Sequence, residues 1–152
     1  MNRRPPLLDH LTTLLCVISL GSGFMNASAS EGSLALVQKG IGMLEAQEFE
    51  NAVRVFEYAV RIDPTDGEAN FFFGVAENRL RDGKEALSRI RRARLLGYGH
   101  PRMIIEESYA LLHLGNYGQV LQALSTPFEK EPQNAEINYL LGRAYYGLGQ
   151  FE

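Results

Sequence analysis

Histidine, cysteine and paired carboxylates supply most of the covalent and acid-base chemistry a small protein can do, and here they are few and poorly placed for it. The chain has three histidines, His10, His100 and His113, and one cysteine, Cys16. A metalloprotease-type zinc site needs two histidines one helical turn apart, and a structural or redox thiol site needs a second cysteine. Neither arrangement occurs. His100 lies beside Pro101 in turn-forming sequence, and His113 lies near the end of a helical run with no ligand spacing to it. Glu106 and Glu107 have the residue type of a general acid and base, but they read as adjacent glutamates on a solvated helix face. No glycine-rich phosphate loop or serine elbow is present. The sequence therefore assigns no catalytic, cofactor-binding or metal-binding residue, and the reading is that the chain is not an enzyme.

What the chain does have is a period. Small residues recur at Gly40, Gly74, Ser108 and Gly142, and aromatic positions or their stand-in at Phe49, Gly83, Tyr117 and Phe151, each column repeating every 34 residues. The same register carries Ala52, Ala86 and Val120; Phe56, Ile90 and Leu124; Ala59, Ala93 and Pro127; Pro64, Tyr98 and Pro132. Within the first unit Leu36, Gly40, Met43 and Leu44 share one helical face, and Ala52, Val55, Phe56, Ala59 and Val60 share another. Only Ala46-Gln47-Glu48 separates the two runs, enough for an antiparallel turn, so Gly40 and Ala52 belong where two helix axes come close. Pro64 cannot continue the second helix and biases Asp63 away from helical angles.

The spacing predicts helices over about 33–46, 49–62, 67–80, 83–96, 101–114, 117–126 and 135–148. Gly97 to Pro101 reads as a glycine stop followed by proline at the first position of the next helix. Pro127 is expected to end or bend its helix near Ser125, because an internal proline costs about 3 kcal/mol.

A 34-residue period with this column order resembles the tetratricopeptide repeat family, from Ser33 to Glu152. The resemblance implies an all-α fold, a right-handed α-solenoid of antiparallel helix pairs. Its repeats would be 33–66, 67–100 and 101–134, with a partial fourth at 135–152. It also implies a use: the first helix of each unit lines a concave surface that binds a protein or peptide. The family's inward positions fall here on Val37, Ile41, Phe71, Val75, Ile105, Tyr109, Leu112, Tyr139 and Tyr146, an apolar and aromatic groove suited to an amphipathic helix or extended apolar peptide. Family members that grip the carboxy-terminal tail of chaperones meet its carboxylate with lysine, asparagine and arginine. Val37, Ile41, Phe72 and Glu106 stand at those positions, so the resemblance implies no carboxylate-clamp binding of a chaperone tail.

Net charge of −3 gives no pull toward nucleic acid. Arg79, Arg81, Lys84, Arg89, Arg91, Arg92 and Arg94 nevertheless crowd the second unit, offset by Asp82 and Glu85 alone. They read as a solvated face with a Glu85–Arg89 pair, or as a contact for an acidic partner or anionic membrane surface.

The first residues are of another kind. Arg3 and Arg4, an apolar core from Leu11 to Leu20, and Ala27-Ser28-Ala29 read as a signal peptide over 1–29, with a tetratricopeptide domain over 30–152. The apolar run is shorter than the ~20 residues that cross a bilayer. Together these features describe an exported bacterial protein, periplasmic or secreted, that serves as an interaction scaffold in assembly of an envelope complex. The alternative follows from Ile137, Leu141, Ala144, Tyr145 and Leu148, which ask for a partner helix just where the chain reaches Phe151-Glu152. On that reading it is the interaction or targeting module of a larger secreted enzyme or membrane protein that continues past residue 152.

Overall fold

The computed structural model describes residues 32–149; the signal peptide expected over 1–29, and Phe151 and Glu152, lie outside them. Within this span the chain forms antiparallel helix pairs with no strand: α1 (32–45), α2 (Phe49–Ile62), α3 (Gly67–Arg79), α4 (Gly83–Leu95), α5 (Met103–His113), α6 (Tyr117–Lys130) and α7 (Ala135–Gly147). This is the α-solenoid of helix pairs, and its units follow the 34-residue columns.

Each turn inside a pair is built the same way. Gln47, Arg81, Gly115 and Gly149 all have positive φ, at 61°, 66°, 72° and 71°. In the first three units the following N–H reaches back to close the helix end: Glu48 to Met43 O, Asp82 to Glu77 O and Asn116 to Leu111 O. Glycine takes this conformation freely, whereas a residue with a Cβ loses roughly 1–2 kcal/mol there. The first two units thus hold a strained residue where the last two have glycine.

The small-residue column marks close helix approach, as its position implies. A methyl group on Gly40 would lie 2.6 Å from the Phe56 ring, and one on Gly74 would lie 2.7 Å from Ile90 Cγ1. Ala52 is fully buried in the same layer. Gly83, the exception in its aromatic column, abuts the end of α5: a Cβ there would meet the Ala110 carbonyl oxygen at 2.6 Å. Backbone packing excludes any side chain at that position.

First helices touch along the array, α3 against α5 and α5 against α7, while α2, α4 and α6 do not touch one another. Spacing that is tighter among the first helices than among the second curves the array, with α3, α5 and α7 on the inside. Three apolar cores fill it: Val37, Phe56 and Phe73 with their alanines; Phe71, Ile90 and Met103; and Leu111, Leu124, Ile137 and Leu140.

Two sequence expectations are corrected. Pro127 does not end its helix, for α6 runs on to Lys130. Ala59 and Ala93 in the same column are fully buried, but Pro127 and Ala123 are half-buried at the edge of a cleft of about 600 Å3. The ring has room there, and the Ala123 carbonyl that lost its donor belongs to a residue lining the same cleft. Pro101 is not the first residue of α5. It forms a turn with Arg102, closed by the Met103 N–H to His100 O, and the helix starts at Met103.

Candidate functional site

Inner-face helices pack against their own unit's second helix, against the second helix of the preceding unit and, more sparsely, against neighbouring first helices. That geometry buries most of α3: Ala69, Asn70, Phe71, Phe73, Gly74, Val75, Ala76 and Asn78 are all buried. It also divides the expected groove. Val37, Phe71, Val75, Ile105 and Leu112 are buried in the three cores. Phe71 additionally stacks on His100, ring centroids 4.5 Å apart. Ile41 and Tyr109 are half-buried, and Tyr139 and Tyr146 are open to solvent at 51% and 70% exposure. Five of the nine expected groove residues thus pack within the stack, and Ile41, Tyr109, Tyr139 and Tyr146 are the four that keep access to solvent.

Polar side chains occupy the space between α3, α5 and α7 instead. Glu106, 1% exposed, receives Arg79 through Nη1 to Oε2 and Nη2 to Oε1, both at 3.2 Å. Asn78 Nδ2 donates to the Glu106 carbonyl at 2.8 Å and to its Oε2 at 3.1 Å. Arg102, at the start of α5, reaches Glu106 Oε1 at 3.3 Å and clasps Glu136 of α7 at 2.7 and 2.9 Å. Tyr109 donates its hydroxyl to Glu136 Oε1 at 3.2 Å. A carboxylate this deeply buried is tolerated only when paired and hydrogen-bonded, and here both conditions hold.

Glu106 and Glu107 are thus not on a solvated face. Glu107 is bound by Arg91 and Arg94 of α4. These pairs join residues of different helices, so no local pattern in the sequence announces them.

The arginine cluster is largely accounted for. Arg79 serves Glu106, Arg91 and Arg94 serve Glu107, and Arg89 pairs with Glu85 at 2.6 Å while lying 4.5 Å from the Phe73 ring centre. Arg81, Lys84 and Arg92 make no ion pair among the described residues.

Beside the Glu106 network lies a cleft of about 300 Å3 lined by Asn78, Arg79, Arg81, Tyr109, His113 and Glu136. Tyr139, exposed Tyr146 and Arg143 continue the face along α7, with Arg143 Nη1 donating to the Tyr139 hydroxyl at 2.8 Å. Titration reflects these surroundings. Partial burial and the positive fields of Arg81, Arg143 and Arg79 push His113 below its ordinary value, against a hydrogen bond to the Asn78 backbone. Burial first, then the negative Glu136, pushes Tyr109 up to about 12. The Arg102 hydrogen bond holds the Glu136 carboxyl below the usual range. Among the described residues no group of histidine, cysteine and carboxylate side chains is gathered as a metal site requires, and no helix is long and apolar enough to cross a membrane.

The backbone is similar to solved tetratricopeptide domains. The first TPR domain of human RPAP3 superposes with a TM-score of 0.64 at 19% identity, covering 78% of this chain and 93% of that one. The second TPR domain of human RPAP3, in complex with the HSP70 peptide SGPTIEEVD, superposes with a TM-score of 0.65 at 17% identity, covering 76% and 97%. No protein-family model and no curated protein matches the sequence. At this level of identity the likeness establishes the fold: the chain is a tetratricopeptide-type helical repeat.

Proposed function

We propose that the chain is a protein-interaction scaffold that holds an extended peptide along the inner face of α3, α5 and α7 and catalyses no reaction. The observation that carries this reading is the polar cleft at Asn78, Arg81 and His113, continuous with the exposed Tyr139 and Tyr146. Tyrosines offer broad contact area at low entropic cost, and arginine, histidine and amide groups supply donors for a peptide's carbonyls and carboxylates. The peptide-bound state of a structural neighbour supports the same use of the fold. The leader-like residues at 1–29 support the reading of an exported scaffold that serves assembly of a complex in the bacterial envelope.

The test is selection of peptides from a random displayed library against the mature chain, followed by the double variant Tyr139→Ser/Tyr146→Ser. Both side chains lie outside the cores, so helical content by circular dichroism stays at the wild-type level while capture of the selected peptides is lost. Undiminished capture by the double variant removes the inner face of α7 from the site.

A further inference from the structure

The cleft of about 600 Å3 between the starts of α5 and α7 and the end of α6 has an occupied counterpart one unit earlier. There Tyr98 folds back over its own unit. A Cβ on Gly67 would lie 2.6 Å from the Tyr98 Cβ, and the Tyr98 ring centre is 5.6 Å from that of Phe71 and 6.2 Å from that of His100. The ring packs on the core that holds Ala93 and Met103. Burial first, then the charges of Glu68 and Asp66, push its hydroxyl up, as expected of a polar tip on the Glu68 side. Moved along the chain by 34 residues, Gly67, Phe71, Ala93, His100 and Met103 become Pro101, Ile105, Pro127, Asn134 and Ile137, and Glu68 becomes Arg102. All six line the cleft. Pro132, the counterpart of Tyr98, does not, and it is exposed. Two replacements account for this. Gly97, with φ 81°, turns the chain so that the Tyr98 N–H reaches Ala93 O at 3.0 Å. Its counterpart Glu131 has φ −132° and takes the Pro127 carbonyl itself, and Pro132 has neither an aromatic ring nor an N–H. The third unit keeps the walls of an aromatic site without its ring.

Going beyond the inner-face reading, we propose that this cleft at the edge of the solenoid receives a tyrosine side chain of a partner polypeptide, entering from outside where Tyr98 enters from within. Ile105, Pro127 and Ile137 take the ring out of water. Arg102 stands where the preceding unit has Glu68, so the hydroxyl meets a donor in place of a carboxylate. The cleft is larger than one ring and has room for the main chain that carries it. Thr126, Glu131 and Asn134 line it as well, with acceptors and donors for that main chain's N–H and C=O groups, which favours a polypeptide over a free phenol. The surface is distinct from the inner-face cleft, for Glu136 is the one lining residue the two have in common.

The probes are the end-blocked tripeptides Gly-Tyr-Gly, Gly-Leu-Gly and Gly-Ala-Gly, with p-cresol as the free side chain. Methyl spectra follow their titration into wild type and two variants that fill the cleft. Ala123→Leu adds bulk from a half-buried position on α6 that lines the cleft, outside the cores. Glu131→Gly/Pro132→Tyr copies Gly97-Tyr98 into the third unit. Gly-Tyr-Gly shifts the methyls of Ile105 and Ile137 and binds wild type at least about tenfold tighter than Gly-Ala-Gly, the equivalent of burying most of one aromatic side chain. Gly-Leu-Gly falls between them, and p-cresol binds more weakly than Gly-Tyr-Gly. Both variants lose this binding, and the double variant unfolds at a higher urea concentration than wild type because its own ring now fills the site. Equal binding of the tyrosine and leucine peptides, or retention of binding by either variant, overturns the proposal. So does binding of p-cresol as tight as that of the tripeptide, since the occupant is then a free phenol. Tyr139→Ser/Tyr146→Ser binds Gly-Tyr-Gly as wild type does; loss of binding there places the tripeptide on the inner face and also overturns the proposal. Library peptides held on the inner face can still bind in each of these cases, so the two readings fail separately.

Discussion

Glu106 shows how a single buried charge ties three units together. Its carboxylate is bound by Arg79 of α3 and by Arg102, which in turn holds Glu136 of α7. Glu106→Ala leaves the two guanidiniums facing a void, but their side chains are 36% and 46% exposed and turn toward water. The cost is therefore expected at about 2–3 kcal/mol, below the 3–5 kcal/mol of a fully buried broken pair, measured by urea denaturation. A second residue-scale prediction concerns His113. Its folded value is depressed below the ordinary 6.5, so the unfolded chain binds more protons than the native one as pH falls through 6.5 toward the folded value. Stability is whole above that window and declines within it, and His113→Gln flattens the decline in a pH series of unfolding curves. Neither residue's surroundings were legible in the sequence. Glu106 and Glu107 looked solvated because Arg79, Arg91 and Arg94 come from other helices, with only Arg102 at an i,i+4 spacing to Glu106, and Asn78 carried no motif at all.

At the scale of elements, the small-residue column was legible because close approach at Gly40 and Gly74 leaves a mark in the sequence. The column nevertheless hides a difference among its members. Gly40, Gly74 and Ser108 are buried, while Gly142 is exposed and a methyl group there would meet nothing within 4 Å. Gly40→Leu should therefore destabilise by at least roughly 1–3 kcal/mol through overpacking against Phe56. Gly142→Ala should stabilise α7 by up to about 1 kcal/mol, the helix-propensity difference alone. Thermal melts of the two variants check the contrast, and equal destabilisation would show that Gly142 is packed after all. Pro127 was misjudged for a related reason: its cost depends on whether the ring and the freed carbonyl lie in a core or at an open cleft, and the column alone does not say which. The start of α5 was displaced from Pro101 to Met103 by the His100–Met103 turn.

Across the whole molecule, the period of 34 residues was enough to specify helix pairs, their order and the inner layer of first helices. It was not enough to specify the face presented to a ligand. Val37, Phe71, Val75, Ile105 and Leu112 hold positions the repeat turns inward, yet they are buried by neighbouring helices; the surface proposed above for a peptide is instead the polar seam from Asn78 to Tyr146. The most direct test of this account is chemical-shift mapping of residues 30–152 with a displayed-library peptide. The account predicts shifts concentrated at Asn78, Tyr109, His113, Tyr139 and Arg143. Shifts confined to the outer face of α4, around Arg89 to Arg94, would contradict it.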